Sequence, residues 1–303
     1  GSRKWEVVNC GGVSYASYRL IPILEEVLTY EPDLIILCTG HNEFLEARTF
    51  DHIQDRGALV NQSLHAASQW RTVTLAREGF LRLQGRSSFD PPEARPILPT
   101  EVEALLDYRG GLEKYQRDEA ARQGVVDQFR YNLSRLVHRT REAGVPLILI
   151  NPVSNLRDCP PFKSLHRDDL TAAEAAQWNS LCEQARACLG EVPPDVRGVI
   201  DHYEQACEID PRHAGGYYNL AQCYDAAGRK DDAHEAYLKA KELDICPLRI
   251  LQSMNEAVLE VAAATDTPVI DAQALFAARP DGGITDSQWL LDHVHPGIKG
   301  HQL

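Results

Sequence analysis

Short apolar segments alternate with longer helical patterns along this sequence, and this alternation constrains the fold more than any other feature. The apolar segments lie at 5–9, 34–39, 145–150 and 268–271, and they are rich in β-branched and aliphatic residues. Such a composition is typical of strands buried on both faces. Helical patterns separate them over 20–30, 120–143 and 248–265. The order predicts an α/β fold, a parallel sheet flanked by helices.

Polar residues follow three of the predicted strands. They read NCGG at 9–12, GHNE at 40–43 and NPVSN at 151–155. In open α/β sheets, ligands bind at the carboxyl ends of the strands. Gly11 and Gly12 allow the backbone to turn sharply there and to approach a ligand closely. The sequence therefore predicts a site at this edge of the sheet.

Composition excludes several classes of partner. The 303 residues carry a formal net charge of −13, which argues against nucleic acid, because that partner requires a basic surface. The apolar runs have the length of strands rather than of membrane spans. The eight cysteines form no CxxC pair. We expect mostly buried free thiols, no metal and no other cofactor, and the compartment stays open.

Residues 170–246 change to an all-helical pattern. Large, small and aromatic residues recur there at fixed offsets on two helices joined at Gly228, namely Tyr217, Leu220, Ala221, Tyr224, Ala233, Tyr237 and Ala240. The pattern resembles the tetratricopeptide repeat, and Tyr203, Ala206 and Pro211 occupy equivalent positions one repeat earlier. Since about three repeats are needed for independent stability, we expect this insert to lean on the α/β body. The repeat also predicts a protein or peptide partner.

Two short motifs carry the chemistry. Asp292 stands three residues before His295 in DHVHP, a spacing that suits a general base, His295, oriented by Asp292. Asn42 follows a predicted strand, and its amide is suited to donate a hydrogen bond to an oxyanion. The alternatives are a surface loop for the first motif and a helix cap or turn for Asn42.

A strand ending in N-x-G, a strand ending in G-x-N-E and a late D-x-x-H-P resemble, in this order, the SGNH or GDSL-like hydrolases. The resemblance covers roughly 5–45, 145–155 and 265–303 and implies a flavodoxin-like parallel sheet. It implies serine esterase activity, with Asn42 in the family's Asn block and His295 in its His block. The implied domains are a first hydrolase-like part at 1–169, the all-helical repeat-like insertion at 170–246 and a last hydrolase-like part at 247–303.

The sequence departs from this family in two places. Ser14 stands where the family has the last glycine of N-x-G-x-x-G, so the backbone donor to the oxyanion hole falls to Ser14, with Gly12 as the alternative. The family's nucleophilic serine follows an earlier strand, which we expect upstream of Gly1 in a longer protein. We expect the 303 residues alone to lack esterase activity and to expose the sheet edge beside that strand.

The loop after the third predicted strand suggests a substrate pocket. Asn155, Arg157 and Lys163 are positioned in sequence to line it and to bind a polar or anionic group. An ordinary structured loop with solvated charges is the alternative. His166 and His293 are weaker candidates of the same kind. Residues 45–118 predict a partly helical excursion over the strand ends, either a lid or a surface insertion without a role.

Two functions remain at the level of sequence. The first is a serine hydrolase or acyl transferase acting on O-acyl esters of small molecules or carbohydrates. The second is a non-catalytic interaction scaffold, in which the repeats bind a protein and the sheet domain is degenerate. A nucleotide-binding domain is disfavoured because GGVSYAS at 11–17 lacks the lysine and spacing of a phosphate-binding loop.

Overall fold

A computed structural model describes residues 4–12, 14–45, 112–190, 194–279 and 283–303. The predicted lid or surface insertion at 45–118 lies outside the described residues except at its two ends. By its internal contacts the described chain from Tyr115 onwards belongs to the same compact unit as the residues up to Glu46. The helical insert and the sheet thus belong to the same unit.

The described elements follow the predicted order of strands and helices closely. They are α1 (Ser17–Leu28), β1 (Ile35–Cys38), a short 3-10 helix (Leu112–Lys114), α2 (Glu119–Glu142), β2 (Leu147–Asn151), α3 (Ala172–Leu189), α4 (Val196–Ile209), α5 (Ala214–Ala226), α6 (Lys230–Glu242), α7 (Gln252–Ala264), β3 (Val269–Asp271), α8 (Ala272–Ala277) and α9 (Ile298–His301).

The three described strands form one parallel sheet in the order β1-β2-β3. Ile35 lies opposite Leu147 in the first pair, and Leu149 lies opposite Val269 in the second. The prediction of a parallel sheet with helices between its strands is confirmed at this level. The described residues form a helix-rich chain with a small sheet and helical repeats, and they do not confirm the flavodoxin-like architecture.

One predicted strand is not formed. Residues 5–9 are described, but they pair with no described strand, and Trp5 and Val7 are 76% and 90% exposed. Backbone N–H and C=O groups of a strand need a neighbouring strand to bond. Strand propensity alone does not supply this neighbour, and the described residues contain none for 5–9. The prediction of a strand at 5–9 was therefore wrong for the described structure.

Helices cover only one face of the described sheet. Alternate strand residues, among them Leu37 and Leu149, pack with Phe129 of α2 and Met254 of α7 in the main apolar core. The opposite face is open in the described part of the chain, where Ile36 is 59% exposed. The sequence predicted strands buried on both faces, and the described structure buries one.

The insert consists of two helical hairpins, α3 with α4 and α5 with α6. Thr171 and Glu174 bond each other's backbone N–H groups and start α3 with a capping box. The small residues Ala221 and Ala233 are fully buried where α5 and α6 pack, and Gly228 makes the turn between these helices with φ of +76°. The predicted repeat geometry is therefore present.

Candidate functional site

The Asp292–His295 pair lies in a tight loop near the end of the chain. Asp292 Oδ2 is 2.7 Å from His295 Nδ1, while Asp292 Oδ1 accepts the backbone N–H groups of Val294 and His295, both at 2.8 Å. The carboxylate is thus fixed by three hydrogen bonds. Because it is an acceptor, the proton of the neutral imidazole sits on Nδ1 and leaves Nε2 as the basic nitrogen.

The charge of Asp292 is favoured by this geometry. Burial acts to raise the pKa of its carboxyl, but the hydrogen bonds from the His295 and Val294 backbone and from the His295 ring outweigh it and lower the pKa. The side chain of His295 is 72% exposed. The arrangement therefore presents an oriented, accessible proton acceptor beside a stable carboxylate.

A short hairpin carries this loop. Leu290 and Pro296 form an antiparallel bridge, Leu291 N–H donates to the His295 carbonyl at 2.7 Å, and Gly297 N–H donates to the Trp289 carbonyl at 2.8 Å. These bonds close the chain on both sides of residues 292–294. They fix the backbone that carries the pair.

Asn155, which follows β2, holds the tip of the same hairpin. Its backbone N–H donates to the His293 carbonyl at 2.9 Å, and its side-chain amide donates to the Asp292 carbonyl at 3.3 Å. Its Oδ1 accepts the N–H of Asp158. Asn155 is 3% exposed, and both the nitrogen and the oxygen of its amide are hydrogen-bonded within the protein. Its predicted contact with substrate stays a prediction.

The residues after β1 form a second polar group. Asn42 Nδ2 donates to the Tyr15 carbonyl at 3.2 Å, which places Asn42 beside the turn where Tyr15 N–H bonds the Gly12 carbonyl. Ser14 adopts a positive φ of 61° in this turn. The structure therefore brings together Asn42, Ser14 and Gly12, the three predicted oxyanion-hole residues. Their proposed donation to an oxyanion stays a prediction.

A chain of hydrogen bonds connects His41 with the Asp292–His295 loop. Burial lowers the pKa of His41 to about 3, and its Nδ1 accepts the N–H of Ile250. Arg249, the residue before Ile250, donates to the Asn155 carbonyl, and Asn155 holds the tip of the loop. These bonds join the polar residues after β1 to the loop.

Arg157 and Lys163 are engaged within the chain. The Arg157 guanidinium lies 2.6 Å from both Asp225 and Asp286. Lys163 Nζ donates to the Tyr115 carbonyl at 2.7 Å. The structure gives each cation partners in the protein, and their predicted role in binding an anionic substrate stays a prediction.

The two weaker histidine candidates lie in different surroundings. His293 contacts Phe162 edge-on, with ring centroids 5.5 Å apart. His166 Nδ1 is 2.7 Å from the buried carboxylate of Asp210 and packs against Trp178 of α3. His293 thus belongs to the loop region, whereas His166 joins the insert to the preceding segment.

Sequence reasoning missed the partners that organise the site. The sequence singled out Arg157, but not Asp225 or Asp286, which lie 68 and 129 positions away from it. It also missed His41, whose ring partner Ile250 is 209 positions away. Asp225 lies in the last turn of α5, where an acid is usually taken to face solvent. The residues near it in sequence give no sign that it pairs with an arginine 68 positions away.

The described ranges contain no group of three or more His, Cys, Asp or Glu side chains placed to hold a metal ion. Among the helices that the structure describes, none combines the length and the apolar character required to cross a bilayer.

Comparison with known proteins identifies one part of the chain. The family model of the tetratricopeptide repeat matches residues 202–235, which run from α4 through α5 into α6. No curated protein and no solved structure matches the chain. Repeats of this kind commonly provide surfaces for binding other proteins. Residues 202–235 are therefore a tetratricopeptide repeat, and the comparisons support no hydrolase family for the rest of the chain.

Proposed function

We propose that His295, oriented by Asp292, is the general base and acid of a serine-type hydrolase that cleaves O-acyl esters. The observation that carries this proposal is the 2.7 Å hydrogen bond between Asp292 Oδ2 and His295 Nδ1 in a loop that leaves the histidine ring accessible. This bond orients Nε2 to take a proton and stabilises the imidazolium that results.

The proposed reaction has two halves. His295 Nε2 removes the proton from a serine hydroxyl as its oxygen attacks the acyl carbonyl, and the Asn42 amide with the Ser14 or Gly12 backbone N–H holds the oxyanion. His295 then gives its proton to the departing alcohol. Water repeats the sequence on the acyl-serine and releases the acid, whereas a second alcohol in its place would give acyl transfer. The serine belongs to the sequence expected upstream of Gly1.

A fluorophosphonate probe tests this proposal on the full-length protein. We expect an adduct on one serine upstream of the present residues, lost in His295→Ala and retained in the control His138→Ala, whose ring lies exposed on α2. Mass spectrometry of the labelled peptides locates the adduct. A folded protein that shows no serine adduct, or equal labelling in His295→Ala, would overturn the proposal.

The second candidate function is a protein-interaction scaffold, and the family match at 202–235 favours it. Repeat helices pack in hairpins and leave surfaces for partner segments. A photo-crosslinking amino acid at Gln222, exposed on α5, would report such a partner, with Asp127 on α2 as the matched exposed control. Specific adducts from position 222 support the scaffold, and equal or absent adducts at both positions count against it.

A further inference from the structure

A segment of the chain itself lies against α5 of the repeat. Tyr218 Oη donates to the Arg157 carbonyl at 2.6 Å, and Gly215 N–H donates to Ser164 Oγ at 2.8 Å. Asp225, near the end of α5, pairs with the Arg157 side chain. From Gly215 to Asp225 the helix rises about 15 Å. The segment 157–164 therefore contacts α5 near both of its ends, at Gly215 and Tyr218 and, through the Arg157 side chain, at Asp225, on a surface of the kind that repeats offer to peptides.

Arg157 extends this contact from the repeat to the carboxyl-terminal part of the chain. Its Nε and Nη1 atoms reach Asp225 and Asp286 respectively, each at 2.6 Å, and both acids are largely buried. Burial acts to raise the pKa of Asp225, but the hydrogen bonds from Arg157 and Lys230 outweigh it and lower the pKa. One guanidinium thus bridges two carboxyl groups that come from distant parts of the sequence, a role for which its planar fork is suited.

Asp286 stabilises the turn that leads into the hairpin of the Asp292–His295 pair. Its carbonyl accepts the N–H groups of Trp289 and Leu290, and its Oδ1 accepts the N–H of Gln288. Leu290 begins the bridge to Pro296. A carboxylate held by Arg157 therefore fixes the turn from which the hairpin starts.

The same short segment also holds the tip of the hairpin. Asn155, two positions before Arg157, bonds the Asp292 and His293 carbonyls. Thr285 also supports the segment, since its carbonyl accepts the Leu156 and Arg157 N–H groups. Residues 155–157 thus connect α5 to both ends of the loop.

We propose that the tetratricopeptide repeat acts within its own chain as the support of the Asp292–His295 loop, with Asp225 and Arg157 as positioning residues. Asp225 fixes Arg157, Arg157 fixes Asp286 and the backbone of residues 155–157, and these fix the loop. A role of this support in catalysis rests on the proposed hydrolase function. The structural dependence of the loop on Asp225 and Arg157 does not. A partner that used the α5 surface would have to displace 157–164.

Hydrogen exchange of the full-length protein tests the coupling. In Asp225→Asn, which keeps the shape and removes the charge, we expect the amides of 289–297 to exchange about tenfold faster, the scale of one lost charge-assisted hydrogen bond. The control Asp231→Asn removes the same charge from an exposed site on α6, and Lys230→Gln removes the other partner of Asp225. Neither control is expected to change the exchange of 289–297.

Arg157→Lys provides a second test should Asp225→Asn fold poorly. Lysine keeps the positive charge but lacks the fork that bridges two carboxylates, so we expect the same acceleration in 289–297. The ring resonances of His295 in NMR spectra should broaden or shift in both variants. Faster exchange confined to α5, with 289–297 and the His295 ring unchanged, would overturn the proposal.

The two proposals fail separately in these experiments. If probe labelling does not depend on His295 but exchange at 289–297 responds to Asp225→Asn, the coupling stands and the hydrolase proposal falls. If labelling depends on His295 while exchange is insensitive to both variants, the hydrolase proposal stands and the repeat has no positioning role.

Discussion

The carboxylate of Glu43 holds the first turn of α1 through Ser17, accepting its backbone N–H at 2.7 Å and its hydroxyl at 2.8 Å. Ala16, the N-cap residue, supplies no side-chain cap, so Glu43, an acid from the segment that follows β1, takes that role. Its negative charge also complements the helix dipole. Asn132 of α2 donates to the same Ser17 hydroxyl. Three consecutive residues after β1, His41, Asn42 and Glu43, therefore serve both the candidate site and the core.

Glu43→Ala should destabilise the protein by about 2–3 kcal/mol, because it leaves the buried N–H and hydroxyl of Ser17 without an acceptor. The free energy of unfolding, from denaturant titration, measures this. Glu26→Ala removes an exposed acid from the same helix and should change stability by less than about 0.5 kcal/mol. Equal effects of the two substitutions would contradict the assignment of Glu43 as the cap of α1.

Protonation of His213 should make the stability of the protein depend on pH. Burial lowers its pKa to about 4, with a further contribution from the charge of His166, and its Nδ1 accepts the N–H of Gly216 at the start of α5. The neutral ring therefore stabilises the fold above the ordinary histidine pKa of about 6.5. This stability is lost as pH falls from there towards 4, since the unfolded chain takes up the proton first.

His213→Asn should remove that dependence and keep the cap, because asparagine is a good N-cap residue without a titration in this range. Thermal melts at several pH values between 4 and 8 would show a smaller loss of stability on acidification than in the unsubstituted protein. His213→Ala should lose about 1 kcal/mol already at pH 8. His138→Asn, on the surface of α2, serves as the control and should leave the acid profile unchanged.

The part of the fold set by local patterns could be predicted, and the part set by distant partners could not. The helix predicted at 120–143 was found at Glu119–Glu142, because one apolar face and clear stop signals define it. The segment at 5–9 has the same strand signal as β2 but no described neighbour to pair with. Strand propensity does not include the identity of the neighbour.

The candidate site also has one part that a local motif predicts and another that depends on distant residues. The bond between Asp292 and His295 joins residues three positions apart, so the motif itself indicated it. The partners of Arg157 are fixed by the packing of the repeat against the loop after β2, which no local pattern encodes. Sequence alone therefore singled out Arg157 as a cation for the substrate but did not indicate that it bridges two acids.

Asn255 should be the most sensitive polar position in the core between α7 and β2. Its amide donates to Asn151 Oδ1 at 2.7 Å and to the Pro152 carbonyl at 3.0 Å, and its Oδ1 accepts from Gln273. Asn255→Asp replaces both donations with acceptor–acceptor contacts at a buried site, so we expect a loss of about 2–4 kcal/mol. Chemical denaturation measures it, with the exposed Gln222→Glu as control. A loss below 1 kcal/mol would contradict the hydrogen-bond network as described.

Asp292→Asn tests the orientation of His295 in the full-length protein. The asparagine Oδ1 keeps the bonds to the Val294 and His295 backbone, but its amide must donate to His295 Nδ1. The proton then moves to Nε2, which can no longer accept one, so kcat for a test ester such as p-nitrophenyl acetate should fall by about 10⁴-fold. KM should change little, because no contact with the substrate is assigned to Asp292.

The control for this substitution is Asp169→Asn, a surface acid whose side chain is 81% exposed, with kcat expected to be unchanged. Circular dichroism and melting temperature of Asp292→Asn should match those of the unsubstituted protein, because the backbone bonds persist. A fall in kcat together with unfolding would assign Asp292 a structural role. An unchanged kcat in a folded variant would show that the carboxylate does not orient the base, and the 2.7 Å contact would then be only a feature of the loop.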